Sequence, residues 1–473
     1  LALGGLLLMP INAFQGIGIA VGITVVVAVA AALTLLPALM RLIGDWASIP
    51  RFGIIRKLRR QDRTGIAEFE GAGRPGEGLW GHVASAVMRR PVVALLASVV
   101  ILVALALPAL TMRLGQSSSD TMPDTDFKRG YLVIAEDFGA GLASPMTTVV
   151  EGDVSDPETR AGINRLVSSL ESDGRFTEVT TATSDDGLLT RIDAVTQVDA
   201  YSGDAGDIVQ AFRDEVVPDV FGQQADNVHL TGEAAFSVDF NSVLVDNLPA
   251  VLAFVLGLSF LLLMLAFRSV VVPLKAIAMN LLSVGAAYGA TVAVFQHGWG
   301  ADLLGLTQVE SIVSWLPVML FCILFGLSMD YHVFLLSRIR ERYDQTHDND
   351  ASVAFGVQST GRIITGAALI MVAIFAAFAG ARLVDVQQMG FGLGFAVLVD
   401  ATLIRMVLVP ASMKLLGDRN WYLPRWLRWL PDLRVEGDLR PIRLHRRDEA
   451  FPGQPGIAFS AGNRGQVTPQ AYE

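Results

Sequence analysis

The sequence predicts a polytopic α-helical membrane protein with an extracytoplasmic α+β domain set between two of its helices. Three observations predict it. Hydrophobic residues make up 52% of the 473-residue chain and charged residues only 17%, where soluble domains carry roughly 25% charged residues. The apolar excess is gathered into seven blocks, 12–40, 92–112, 246–267, 270–296, 314–337, 362–382 and 389–415, each near or above the ~20 residues a spanning helix needs. Between the second and third of these blocks, residues 114–244 alternate strand-like and helix-like patterns and hold roughly half of the 46 acidic residues.

The chain opens on "LALGGLLLMP", with no initiator Met and no room for a signal peptide. This reads as the tail of a truncated helix, so residues 1–40 are expected to be the end of a first transmembrane repeat and the chain a fragment. Residues 41–91 follow, with about twice as many basic as acidic residues. Short loops rich in Lys and Arg stay cytoplasmic, which places 41–91 inside as a loop. The crossing at 92–113 then puts 114–244 outside. Residues 245–416 form a five-helix transmembrane bundle. Arg268, Lys275, Arg338, Arg340, Arg342 and Arg362 fall on its inner side, and the loop "QHGWGADLLGLTQVES" has no Lys or Arg. The Arg-rich residues 417–473 read as a cytoplasmic tail, partly disordered.

Within 114–244, "MTTVVEGD" reads as a strand and "DPETRAGINRLVSSLESDG" as an amphipathic helix with an acidic first turn. "RFTEVTTATS" and "LLTRIDAVTQVDA" are Thr- and Val-rich strands, "GDAGDIVQAFRDEVVPDVF" a second helix, and "NVHLTGE" a last strand. The order β-α-β-β-α-β is the split, ferredoxin-like unit.

"LLPALMRLIGDW" from Leu35 recurs as "LVPASMKLLGDRNW" from Leu408, and duplicated halves are common in secondary transporters. The pairs Gly18/Gly22, Gly285/Gly289 and Gly390/Gly394 suit close helix–helix approach. Asp330 stands in the middle of "LFGLSMDYHVFLLSRIRERY". An aspartate at the centre of a membrane helix costs about 2.5–3.5 kcal/mol, so it is paired or used. It shares a helix face with Gly326, Phe334 and Ser337, small or polar enough to pack on another helix. A carboxyl group there can load a proton from one side and release it to the other. His332 sits about 200° round the helix from Asp330 and is set aside. Arg338, Arg340 and Arg342 are explained by positive-inside anchoring.

Asp400 and Arg405 form a second constellation, a relay or gating pair. The corresponding stretch of the first repeat, "ITVVVAVAAALTLLP", is wholly apolar, so the helix does not need these charges to fold. Five residues apart, they are poorly placed for an intrahelical pair, and each is expected to meet another helix. Asn280, Ser283, Tyr288 and Thr365 are expected to hydrogen-bond between helices. The single cysteine, Cys322, forbids a disulfide within the chain. The histidines lack ligand spacing, so no metal or cofactor is expected. "GAGRPG" (71–76) matches GxGxxG only formally, since it follows no strand and contains Pro75. With no Walker A sequence, energy must come from a gradient.

The motif "GLSMDYHVFLLSRIRE", with "GRIITGAALIMVAIF", "DATLIRMVLVPASMKLLGDRNWYLP" and "LTLLPAL", resembles the C-terminal half of the MMPL family within the resistance–nodulation–division superfamily. The resemblance covers nearly all of the chain before about Arg440. It implies a porter-type outer domain and proton-driven movement of lipids or other hydrophobic molecules across or out of the cytoplasmic membrane. It also implies a proton relay through Asp330 and Tyr331, paired crosswise with an Asp-Tyr on the absent N-terminal half. Asp400 and Arg405 match a similar Asp and Arg of the family's last helix. The expected partners are a lipid or hydrophobic substrate, protons, the other half of the transporter, and a homo-oligomer or accessory envelope proteins, with no nucleic acid. Competing readings are a protein-export accessory of the same superfamily and a lipid-sensing or scaffold membrane protein. An enzyme is not expected, because no nucleophile–base or metal constellation stands in the sequence.

Overall fold

The computed structural model describes residues 2–43, 79–116, 125–427 and 429, all within one compact unit, Leu1–Leu433. The basic stretch 44–78, with "GAGRPG", and the Arg-rich tail from 430 onward lie outside the described residues.

Seven helices among the described residues are long and apolar enough to cross a membrane. They are α1 (Asn12–Ile43), α3 (Pro91–Ala106, continued as a 3-10 turn to Thr111), α8 (Glu233–Phe267), α9 (Val271–Thr291), α11 (Leu316–Thr346), α12 (Asn349–Ala379) and α13 (Val384–Val399). Helix α13 runs on through a π-helix, Asp400–Leu408, into α14 (Val409–Leu416). Each predicted block holds one of these helices. The largest overruns are three: α8 begins at Glu233, α11 ends at Thr346 and α12 begins at Asn349, because polar helical turns extend beyond the apolar run. Asp348 caps α12 by accepting from the Ala351 amide at 3.1 Å, which fixes that start. Ala2–Leu8 coil as a 3-10 helix rather than the end of an α-helix. Gly4 and Gly5 weaken the α preference there, and Gly5 packs on Val251 and Val255 of α8.

One helix falls where the sequence suggested a basic loop. Leu79–Arg89 (α2) buries Ala84, Val87 and Met88, with Trp80 and Val83 packed beside them. These positions recur at helical spacing, a pattern hidden by the surrounding charge. Gly361 of α12 makes room for the Trp80 ring, since a Cβ there would lie 2.8 Å from it.

The predicted glycine pairs divide. A Cβ on Gly289 would run into the Leu105 carbonyl, and one on Gly390 into the backbone of α12, so these two permit the closest helix approach. Gly285 and Gly394 lie in ordinary contact, while Gly22 faces open space.

Between α3 and α8 lies a compact α+β domain. Its elements are α4 (Asp126–Asp137), β2 (Met146–Glu151), α5 (Pro157–Ser172), β3 (Phe176–Thr183), β4 (Leu189–Thr196), α6 (Gly203–Ala211), α7 (Val217–Phe221) and β5 (Val228–Thr231). The sheet is antiparallel, in the order β3-β4-β2-β5. Met146 and Val150 of β2 and Ile192 and Ala194 of β4 alternate onto one face. There they pack against Ile163, Leu166 and Leu170 of α5 and Ile208 and Val209 of α6. Asp156 caps α5 by accepting from the Thr159 amide at 3.0 Å, with Pro157 in the first turn.

The chain enters and leaves this domain through fixed joints. A two-residue strand β1 (Leu114–Gly115) pairs in parallel with β6 (Ile312–Val313), just before α11. Gln296 accepts from the Arg113 amide at 3.1 Å and donates to the Thr111 carbonyl at 2.8 Å. On the exit side Gly232, at φ 112°, turns the last strand into α8; a Cβ there would sit 2.7 Å from the Pro145 carbonyl. Ala235 of α8 is buried in the domain core, and Arg213 pairs with Asp239 one turn on.

At the basic end of the bundle the turn after α14 acts as a clasp. Asn420, fully buried, donates to the Met413 carbonyl at 2.7 Å and accepts from Lys275 Nζ at 3.2 Å. The Asn420 carbonyl accepts from the Ser269 hydroxyl at 2.6 Å. Arg340 lies 4.6 Å over the Trp421 ring, and Arg342 lies 5.4 Å over Phe355. These arginines therefore join helices as well as supplying positive charge.

Candidate functional site

The middle of the bundle holds a polar cluster built on α9, α11 and the π-helix after α13. Asp400 and Arg405 form an ion pair: Arg405 Nε and Nη2 donate to Asp400 Oδ2 at 2.9 and 2.5 Å. The expectation that five residues separate them too far is overturned. In a π-helix the repeat is i to i+5, so positions 400 and 405 become neighbours. Such bulges are frequent at functional sites. Both residues also reach α11, as expected. Arg405 Nη2 donates to the Ser328 carbonyl at 2.7 Å, and the Ser328 hydroxyl lies 3.1 Å from Asp400 Oδ1. Ser328 Oγ is also 2.7 Å from Asn280 Oδ1 of α9.

Tyr331 joins this cluster rather than a separate one. Its ring lies 4.7 Å beneath the Arg405 guanidinium, a cation–π contact, and its hydroxyl is 3.7 Å from Met371 Sδ of α12. The sequence grouped Tyr331 with Asp330, but neighbours in a helix point about 100° apart. Asp330 takes the other direction: it is exposed and makes no hydrogen bond or ion pair among the described residues. The packing expected for its face is met at the neighbours rather than at Asp330 itself: a Cβ on Gly326 would lie 3.7 Å from Ala2, Phe334 packs on the bundle core and the Ser337 hydroxyl is buried. His332, set aside because it points away from Asp330, is buried with Nδ1 3.3 Å from the Ser328 carbonyl. It borders the ion pair.

Among the other predicted polar partners, Tyr288 donates to the Pro317 carbonyl on α11 at 2.5 Å. Thr365 does not cross between helices. Its hydroxyl bonds back to the Gly361 carbonyl of its own helix at 2.7 Å, a common resort of Thr in helices. Ser328 carries no signal in the sequence beyond being small and polar one turn before His332.

A small cavity of about 20 Å³, room for about one water molecule, lies against the cluster. Asn280, Ser283, Ser328, Tyr331, Asp400 and Arg405 supply its polar wall, and Ile364, Ala368 and Met371 of α12 its apolar wall. Asn280 Nδ2 and Arg405 Nη1 are buried without a hydrogen-bond partner in the structure. Buried donors of this kind cost about 1–3 kcal/mol each when unmet, so a water in the cavity is favoured. Chemically, the arrangement offers a carboxylate, a fixed cation, a hydroxyl, a phenol and an imidazole within an apolar bundle. These are groups of the kinds that can take up and release protons.

Comparison with known proteins identifies the family. The model of the MMPL family matches residues 1–94 and 119–436. The chain is 38% identical over 372 residues to the mycolic acid-containing lipids exporter MmpL11 of Mycolicibacterium smegmatis, covering 77% of this chain and 39% of that protein. It is 37% identical over 371 residues to the heme uptake protein MmpL11 of Mycobacterium tuberculosis, covering 77% and 38%. To the trehalose monomycolate exporter MmpL3 of Mycolicibacterium smegmatis it is 29% identical over 411 residues, covering 80% and 39%. The chain thus spans well under half the length of these relatives. Seven apolar helices make it a multi-pass membrane protein, and the extent of the family match makes it a member of the MMPL family of transporters.

Proposed function

We propose that the chain is the C-terminal half of an exporter of lipids or other hydrophobic molecules, driven by the proton-motive force across the cytoplasmic membrane. The observation that carries this reading is the polar cluster of Tyr331, Asp400 and Arg405, set in an otherwise apolar bundle. Ionisable groups at that depth are expensive to keep, and mark ion or substrate pathways. The names of two relatives, both lipid exporters, support the cargo class. In this reading Asp330 and Tyr331 are the relay, and the exposed Asp330 carboxylate meets its partner on an N-terminal half. The α+β domain is extracytoplasmic and porter-type, its strand order β3-β4-β2-β5 being that of the ferredoxin-like unit. The Arg-rich ends are cytoplasmic.

The test uses the full-length transporter reconstituted in liposomes with a pH-sensitive dye inside. Asp330→Asn, nearly isosteric but unable to release a proton, should insert normally and lose both proton flux and lipid export. Near-normal export by that variant would refute the relay. Uptake of a heme-class molecule is the second reading, favoured by the name of one relative. Cargo accumulating inside rather than outside would decide for it.

A further inference from the structure

Ser328 has one hydroxyl proton and faces two acceptors. Its Oγ lies 2.7 Å from Asn280 Oδ1 and 3.1 Å from Asp400 Oδ1, and one proton cannot serve both. The other end of the Asn280 amide, Nδ2, is buried without a partner. Asp400 divides its oxygens: Oδ2 is held by Arg405 Nε and Nη2, which leaves Oδ1 as the oxygen that can take a proton without displacing those hydrogen bonds, although the pair then loses its negative charge.

Two arrangements satisfy the same heavy-atom positions, because the O and N of an amide are assigned from their hydrogen bonds. With Asp400 anionic, the amide turns so that Asn280 Nδ2 donates to Ser328 Oγ, and the hydroxyl donates to Asp400 Oδ1. With Oδ1 protonated, the acid donates to Ser328 Oγ, and the hydroxyl donates to Asn280 Oδ1. The first arrangement also gives the orphaned Nδ2 an acceptor.

We infer that Asn280, Ser328 and Asp400 form a hydrogen-bond chain whose direction reverses when Asp400 Oδ1 takes up a proton, which makes Ser328 and Asn280 positioning residues of the proton step. The inference deepens the proposed proton coupling and rests on it. The proton arrives from water in the adjoining cavity, binds Oδ1, and returns to water when the chain reverts; no other bond is made or broken. The reversal spans α9, α11 and the π-helix, so the charge on one carboxylate sets which way three elements are joined. The titratable or charged groups facing Asp400 are Arg405 on its own element and Tyr331 and His332 on α11, while Lys275, further along α9, acts on His332. Helix α12 contributes only Ile364, Ala368 and Met371 there.

Infrared difference spectra of the chain in lipid nanodiscs, between high and low pH, read the carbonyl stretch of protonated carboxyl groups without requiring transport. One band should vanish in Asp400→Asn and move to higher frequency in Ser328→Ala, where the acid has lost its acceptor. It should return in Ser328→Thr and stay in place in Asp330→Asn. In the full-length transporter, proton flux in Ser328→Ala should fall about tenfold or more, the value of one hydrogen bond to a charged group. That change leaves the Arg405 contact to the Ser328 carbonyl and removes its longer, 3.3 Å contact to the Ser328 hydroxyl, which Ser328→Thr restores. An Asp400 band that does not move in Ser328→Ala overturns the inference. So does the absence of any Asp400 band over the pH range in which the chain keeps its helix content. A band that shifts as expected in a transporter that moves no protons supports the hydrogen-bond chain and refutes proton coupling instead.

Discussion

Removing either member of the buried ion pair should cost more than removing both. The Arg405 side chain is 0% exposed and that of Asp400 only 11%. In Asp400→Leu the guanidinium keeps only the Ser328 carbonyl, a 3.3 Å contact to the Ser328 hydroxyl and the Tyr331 ring, with Nη1 already unpartnered. In Arg405→Met the carboxylate keeps only the Ser328 hydroxyl. An uncompensated buried charge of this kind costs about 3–5 kcal/mol, while replacing both partners by apolar residues of similar volume is often neutral or stabilising. Each single variant should therefore lose about 3–5 kcal/mol, and Asp400→Leu/Arg405→Met should come back to within about 1 kcal/mol of the parent. The assay is equilibrium unfolding of the purified chain in mixed micelles, followed by tryptophan fluorescence. Single losses that simply add in the double variant would refute the reasoning, since they would show two independent sites rather than one pair. If the proposed function holds, a double variant of the full-length protein should be folded yet carry no proton flux, which separates the role of the pair in transport from its role in stability.

Gly289→Val should destabilise by about 1–3 kcal/mol through overpacking, because α3 would have to back away from the new side chain. Gly22→Val, facing open space, should be near neutral, and equal melting temperatures for the two variants would contradict the close-approach assignment. The α+β domain should resist mild acid. The Thr159 amide holds the Asp156 carboxyl below its usual range, and the Arg175 side chain does the same for Asp173. Groups lowered in the folded state contribute stability that is complete above the unfolded value of about 3.9 and lost as pH falls through the lower folded values. Melting of the domain by circular dichroism should be flat from about pH 7 to 5 and fall below about pH 4; a midpoint that rises on acidification would exclude these carboxylates as its cause.

The apolar runs made the membrane helices legible because hydrocarbon imposes length and composition directly. The strands of the α+β domain were legible because Met146, Thr148 and Val150 are buried and alternate with less buried neighbours in a period of two. The helix α2 was hidden because its apolar face is short and lies in a basic stretch. The site was half legible. Asp330, Tyr331, Asp400 and Arg405 are conspicuous as polar residues in apolar segments, yet their grouping was not. The Asp400–Arg405 pair depends on a π-helix, and no residue in "DATLIRMVL" announces the extra residue per turn. Asn280 was expected to bond between helices, but its partner Ser328 became visible only when α9 and α11 were placed side by side, since a small hydroxyl in a membrane helix commonly bonds within its own turn, as Thr365 does.

Helix α8 is 35 residues long, about 52 Å at 1.5 Å per residue, and it begins inside the core of the α+β domain. Ala235 is packed in that core, Val238 lies against Gly206, and Asp239 is tied to Arg213. Its other end, at Met264, is gripped by Leu427 and Leu423. A rod fixed in this way behaves as a crank: tilting it by about 10° at the gripped end would carry its first turn through roughly 9 Å, given that length. Close-packed interiors resist deformation, so the domain would swing as a block. A movement of about 1 Å across one 5.4 Å turn at the gripped end would thus arrive at the sheet roughly tenfold enlarged.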